Sequence, residues 1–170
     1  MNLKQIVAVV SVLVLLAILT VPTLSTGTVS TTLKASKISN AEHVFVTLKT
    51  VSAHQTGESE VQGWRVLSNT TRVLDLVSLQ SNSETLSASK APVGRYDSVR
   101  VELANATWVS GGSITRLQLE ASQLRSKADF TIQSGRTLVI TITLGGFQET
   151  LQGQKFLAAS LDVMVPDAYS

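Results

Sequence analysis

Residues 137–144 read Thr-Leu-Val-Ile-Thr-Ile-Thr-Leu, and their order decides the fold class. Leu138, Ile140, Ile142 and Leu144 alternate with Thr137, Val139, Thr141 and Thr143. Successive side chains of a strand point to opposite faces, whereas a helix repeats every 3.6 residues. The segment therefore has one oily face and one face rich in threonine, as a half-buried antiparallel strand requires.

The same period of two recurs on both sides. Val44, Val46 and Leu48 alternate with Phe45, Thr47 and Lys49, and Val99, Val101 and Leu103 alternate with Arg100 and Glu102. Leu157, Ala159, Leu161, Val163 and Val165 form a last run, stopped by Pro166. Shorter candidate strands lie at 29–33, 63–67, 73–79, 84–87, 114–119 and 128–133. Ser110-Gly111-Gly112 and Ser134-Gly135 stand where hairpin connections are expected, and Gly145-Gly146 is expected to close the strand before it. Residues 36–41 or 121–125 offer the only helical suggestion beyond the N-terminus. The pattern predicts an all-β domain, an antiparallel β-sandwich of roughly seven to ten strands preceded by one hydrophobic helix.

That helix is expected within residues 1–25. Lys4 precedes Ile6–Leu24, a run with no ionisable side chain. As a helix it would span about 30 Å, the hydrocarbon thickness of a bilayer. Three readings fit: a cleaved secretory signal, an uncleaved anchor holding the membrane through residues 6–24, or a pilin-like segment buried in a filament core. Each delivers the remainder outside the cytoplasm, membrane-anchored or secreted at the cell surface. Residues 26–32, small and polar, are expected to form a linker or a first donated strand, and residues 33–170 the β domain.

Composition narrows the function classes. With 170 residues the chain can bury a proper core. It has no cysteine, which excludes disulfides, thiolate catalysis and cysteine-held zinc. The net charge is only +2 and the basic residues are scattered, so no phosphate-tracking patch is expected and nucleic acid is not a predicted partner. No nucleophile elbow, phosphate loop, zinc-protease helix or calcium loop is present, so neither catalytic residues nor a cofactor are expected.

The succession HVFVTLKTVSAH, GWRVL, VLDLVSL, APVGRYDSVRVEL, FTIQSGRTLVITITL and FLAASLDVMV, spanning about Leu33 to Val165, resembles the domain of unknown function 4382. Trp64, Asp75-Leu76 and Gly94-Arg95-Tyr96 carry the resemblance best. The family's Thr-Asp-Ala-Pro-like turn after the first strand is replaced by Lys34-Ala35-Ser36-Lys37. The resemblance implies an exported or membrane-anchored β-rich domain and brings no catalytic residue.

A few polar residues invite attention. His43 and His54 are eleven positions apart, so a straight strand would put them on opposite faces, against a shared metal. Asp75 lies in an apolar run, where it should accept backbone N–H bonds at a strand end or pair with Arg72 or Arg95. Asp97 is expected at a turn or rim. Asn69 and Asn105 head glycosylation sequons; Asn105 shares its face with Val99, Val101 and Leu103, so it is accessible only if a bulge or a strand end intervenes before it. Trp64 and Trp108 are expected in the core or at a sheet edge. The function expected is a non-enzymatic surface, structural or interaction domain, offering edges and loops to cell-surface partners. The alternative is a pilin-like filament subunit, self-assembled through its apolar helix or a donated strand; a small-ligand binder stands third.

Overall fold

A computed structural model describes residues 25–151 and 154–166. Ten strands follow one another: β1 (Thr26–Ala35), β2 (His43–Gln55), β3 (Trp64–Ser68), β4 (Arg72–Asp75) and β5 (Glu84–Pro92). Then come β6 (Gly94–Ser110), β7 (Ser113–Leu119), β8 (Gln123–Ile132), β9 (Thr137–Leu151) and β10 (Gln154–Met164). One 3-10 turn, Ser78–Gln80, is the only helical element among the described residues. The fold is all-β. No helix of the described residues is long and apolar enough to cross a membrane, and Ile6–Leu24 lies outside them.

The strands make one hydrogen-bonded path in the order β3-β2-β6-β7-β10-β9-β1-β5. β2 and β6 each have a divided edge: β3 and β4 share one side of β2, β7 and β8 one side of β6. The path curls until its ends approach, and there Ser87 Oγ of β5 donates to the Leu67 carbonyl of β3 at 2.8 Å. The result is a nearly closed barrel, which corrects the expected sandwich. Alternation identifies an inner face but does not say whether two inner faces belong to separate sheets or to one curled sheet.

The antiparallel expectation is also corrected. β1 runs parallel to β9 from Thr28↔Thr137 to Ala35↔Leu144, while pairing antiparallel with β5 on its other side. β10 touches β7 in parallel at Phe156↔Gln118 and Leu157↔Leu119. Residues 26–32 are thus neither linker nor free strand but most of β1. Val29, Thr31 and Leu33 on its inner side are fully buried.

Inner faces meet in one core. Val44, Val46 and Leu48 of β2, Val99, Val101 and Leu103 of β6, and Ile140, Ile142 and Leu144 of β9 are all buried. Each such side chain stabilises by about 1.5–3 kcal/mol through removal from water. Their backbone groups are paired along the strands, which is why the threonine-bearing side can face outward.

Three local expectations differ from the structure. Gly111-Gly112 does form a two-residue hairpin loop between paired Ser110 and Ser113, with φ of +57° and +71° that glycine alone adopts freely. Ser134-Gly135, by contrast, is a corner: Arg136 N donates to Gln133 O, but β8 pairs with β6 and β9 with β1 and β10. Gly145-Gly146 does not end its strand, because β9 continues against β10 to Leu151. Residues 36–41 are irregular and Gln123–Arg125 belong to β8, so neither helical suggestion is realised.

Candidate functional site

β2 carries an extra residue relative to β6: Leu48 pairs with Leu103 and Thr50 with Glu102, so two steps on β2 match one on β6. Such a bulge inverts the alternation. Val44, Val46 and Leu48 point inward before it, Val51 and Ala53 after it. His43 and His54 therefore share the outer face, which corrects the opposite-face expectation. Eleven strand residues still separate them by about 35 Å. Each has its own carboxylate, and no group of metal-binding side chains is present among the described residues.

At one end His43 Nδ1 lies 2.7 Å from Asp75 Oδ2. An ionised carboxylate only accepts, so this ring nitrogen carries the proton. The ring stacks on Phe45, with centroids 5.5 Å apart. Asp75 ends β4, and its Oδ1 accepts from Val44 N at 3.2 Å and Val77 N at 3.1 Å. Burial pushes this carboxyl upward, but the bonds from His43, Val44 and Val77 outweigh it and hold its pKa below the ordinary value. Arg72 is not a partner, since it pairs with Glu84 at 3.0 Å.

At the other end a larger network forms around buried His54. β6 has an extra residue between Tyr96 and Ser98, because Gln55 pairs with Tyr96 and His54 with Ser98. That residue is Asp97, expected at a turn or rim and found inside the strand. The bulge lets Asp97 Oδ1 receive both His54 Nδ1 at 3.0 Å and Ser98 Oγ at 2.8 Å. Arg125 donates to Ser98 Oγ at 3.0 Å and to Glu60 Oε1 at 2.8 Å. Trp64 sits on this surface, half-buried, its ring 5.2 Å from that of His54. The guanidinium of Arg100 lies 4.1 Å from the Trp64 ring centroid and that of Arg125 at 5.2 Å. Both are attracted by the ring's negative face. Burial raises the Asp97 carboxyl, but the bonds from Ser98 and His54 and the charges of His54 and Arg125 lower it further.

The residue types of a hydrolytic triad meet here, but in a different order. Ser98 donates to Asp97 rather than to His54, and the other ring nitrogen of His54 faces the Ser59 carbonyl at 3.4 Å. A triad needs the hydroxyl on the imidazole and the imidazole on the carboxylate. The arrangement fixes three strands and a loop to one another and leaves no base free beside a hydroxyl.

The sequons are exposed. Asn69 lies between β3 and β4. Val46 pairs with Ala106 and Leu48 with Leu103, a second bulge that turns Asn105 outward, where its Oδ1 accepts from Arg116 at 3.3 Å. Trp108 is buried on the inner side. The periodicity did not single out Arg100, Arg125 or Ser98. The outward parity of Arg100 beside Val99 and Val101 was the one available signal.

The class these features define is an all-β domain, a mixed-sheet barrel with polar networks on its outer face. The chain belongs to the domain of unknown function 4382 (DUF4382) family, whose model matches residues 26–154. The match begins at the first residue of β1, earlier than the resemblance, and ends where β10 begins. No curated protein and no solved structure matches the chain significantly.

Proposed function

We propose that this protein is a non-enzymatic extracytoplasmic domain, tethered to the membrane or secreted across it, that offers its barrel surface to partners. The observation that carries this reading is the junction of two segments. Ile6–Leu24 has no ionisable side chain, and β1 begins only two residues later at Thr26. With no spacer between them, an uncleaved segment holds the barrel directly against the bilayer. The polar networks support the reading further, because their hydrogen bonds are spent on one another. Arg72, Arg125 and Lys49 each lie beside a glutamate, which speaks against a phosphate-binding surface.

A filament built by donating the strand around Thr28–Leu33 fits less well, because β1 fills the slot between β5 and β9 of its own barrel. The test is fractionation of cells producing the full chain, with protease added outside and N-terminal sequencing of the mature product. Protease-accessible protein in the membrane fraction or the medium is the expected result. An intact chain free in the cytosol overturns the proposal.

A further inference from the structure

A cavity of about 700 Å³ opens at the end of the barrel where β1 finishes, opposite the end at which the chain enters from residue 25. β1 is ten residues long, so the two ends lie about 30 Å apart. Ser36 and Ser39 of the β1–β2 connection, Ser110 and Ser113 of the Gly111-Gly112 hairpin, and Ser160 of β10 line the cavity. Asn40 joins them, held at φ +62°, the one non-glycine with positive φ among the described residues. Lys37 and Lys155 stand on the walls, and the almost fully buried Trp108 reaches the lining. No carboxylate among the described residues lines the cavity; Glu42 Oε1 accepts from Gly111 N of the hairpin at 3.1 Å.

Several hydroxyls elsewhere on the barrel are occupied. Ser87, Ser98 and Thr50 each donate to a carbonyl or carboxylate. In the cavity, none of the serine hydroxyls makes a side-chain bond among the described residues, and neither lysine is in an ion pair there. Gly145 contributes as well. A Cβ at this position would collide with Ser36 Oγ and Ser160 Oγ, so its absence lets the two hydroxyls converge. Converging free hydroxyls and an amide match the donors and acceptors of a polyhydroxylated ligand, and a volume of this size exceeds a single small anion. Two ammonium groups with no ion-pair partner among the described residues favour a negatively charged ligand.

We propose that this cavity binds an acidic saccharide, a sugar segment carrying carboxylate groups. Lys37 and Lys155 meet the charge, and the serines and Asn40 meet the ring hydroxyls. The binding chemistry stands on the cavity alone; its outward, membrane-distal placement rests on the proposed extracytoplasmic reading.

The test uses the full chain in detergent micelles, so its failure is separate from a failure of fractionation. Calorimetry and tryptophan fluorescence follow titration with three probes: a galacturonic acid trisaccharide, a neutral galactose trisaccharide and inorganic phosphate. The acidic trisaccharide is expected to bind saturably, about tenfold tighter than the neutral one. A Lys37→Ala/Lys155→Ala double variant, changed only at exposed positions, is expected to lose about tenfold in affinity with an unchanged melting temperature. The proposal is overturned by equal affinity for the neutral sugar, by phosphate binding as tightly as the trisaccharide, by undiminished binding in the double variant, or by no saturable binding of the acidic probe.

Discussion

His54 Nδ1 reaches Asp97 Oδ1 at 3.0 Å because β6 contains one residue more than β2 requires between Tyr96 and Ser98. In an unbroken strand, neighbouring residues such as Asp97 and Ser98 would face opposite sides. The bulge brings both into one network with a histidine that is only 5% exposed. Two bulges in neighbouring strands thus cooperate: the one in β2 turns His54 outward, and the one in β6 supplies its acceptor.

Truncating that acceptor leaves a buried ring N–H and the Ser98 hydroxyl without their shared partner. Asp97→Ala is expected to destabilise the fold by about 1–3 kcal/mol, the usual cost of stranding a buried donor. Asp97→Asn keeps an acceptor and should cost less. Urea unfolding of the two variants beside the parent measures this, and a change within 0.5 kcal/mol for Asp97→Ala would show the network to be decorative.

Acid should act through Asp75 and Asp97, whose carboxyls both lie below the ordinary aspartate value of 3.8 when folded. Burial raises each, and donated hydrogen bonds lower each by more. A carboxyl with a lower pKa in the folded state contributes stability that is complete above the unfolded value and is lost as pH falls through the folded one. The urea midpoint is therefore expected to be flat near neutrality and to drop below about pH 3.8. Asp75→Asn lowers the midpoint at pH 7 but removes one source of the acid decline. The gap between parent and variant must narrow as pH falls; a constant gap would sink this account.

Much of the barrel was legible because its inner residues are β-branched or leucine at every second position. Leu138–Leu144 and Val99–Leu103 needed no other information. What alternation cannot carry is direction and register. Thr28–Leu33 has the same pattern whether it pairs parallel or antiparallel, and its parallel match to β9 depends on where the chain enters the barrel. Bulges are equally silent, because one added residue at Lys49 or Asp97 costs nothing recognisable in composition. For that reason plain alternation sets the two histidines on opposite faces and gives no sign of Asp97 inside a strand, whereas Asp75 ends its strand.

The second bulge makes a prediction about Asn105. With unbroken parity it would follow Leu103 into the core; instead it is exposed, as is Asn69. Secreted from a eukaryotic host, the chain is expected to carry glycans at both positions. Intact mass before and after enzymatic deglycosylation should differ by two glycans, and by one in Asn69→Gln or Asn105→Gln. An unmodified Asn105 would argue that the strand resists the transferase despite its exposed side chain.

Thr31 offers the sharpest test of how β1 is built in. It is fully buried on the inner side of β1, between Val29 and Leu33, and its hydroxyl has no hydrogen-bond partner among the described residues. A hydroxyl removed from water without compensation costs about 1–3 kcal/mol. Valine has nearly the same shape, replaces the hydroxyl with a methyl group and prefers strands. Thr31→Val is therefore expected to stabilise the protein by about 1 kcal/mol or more, read as a higher urea midpoint with an unchanged slope. Were residues 26–32 a solvated linker, the same change would bury nothing and leave the midpoint where it was. A strand that left its own barrel to complete a neighbour's would instead make the gain depend on protein concentration. Stabilisation that is independent of concentration is the outcome that β1, held between β5 and β9 of one chain, demands.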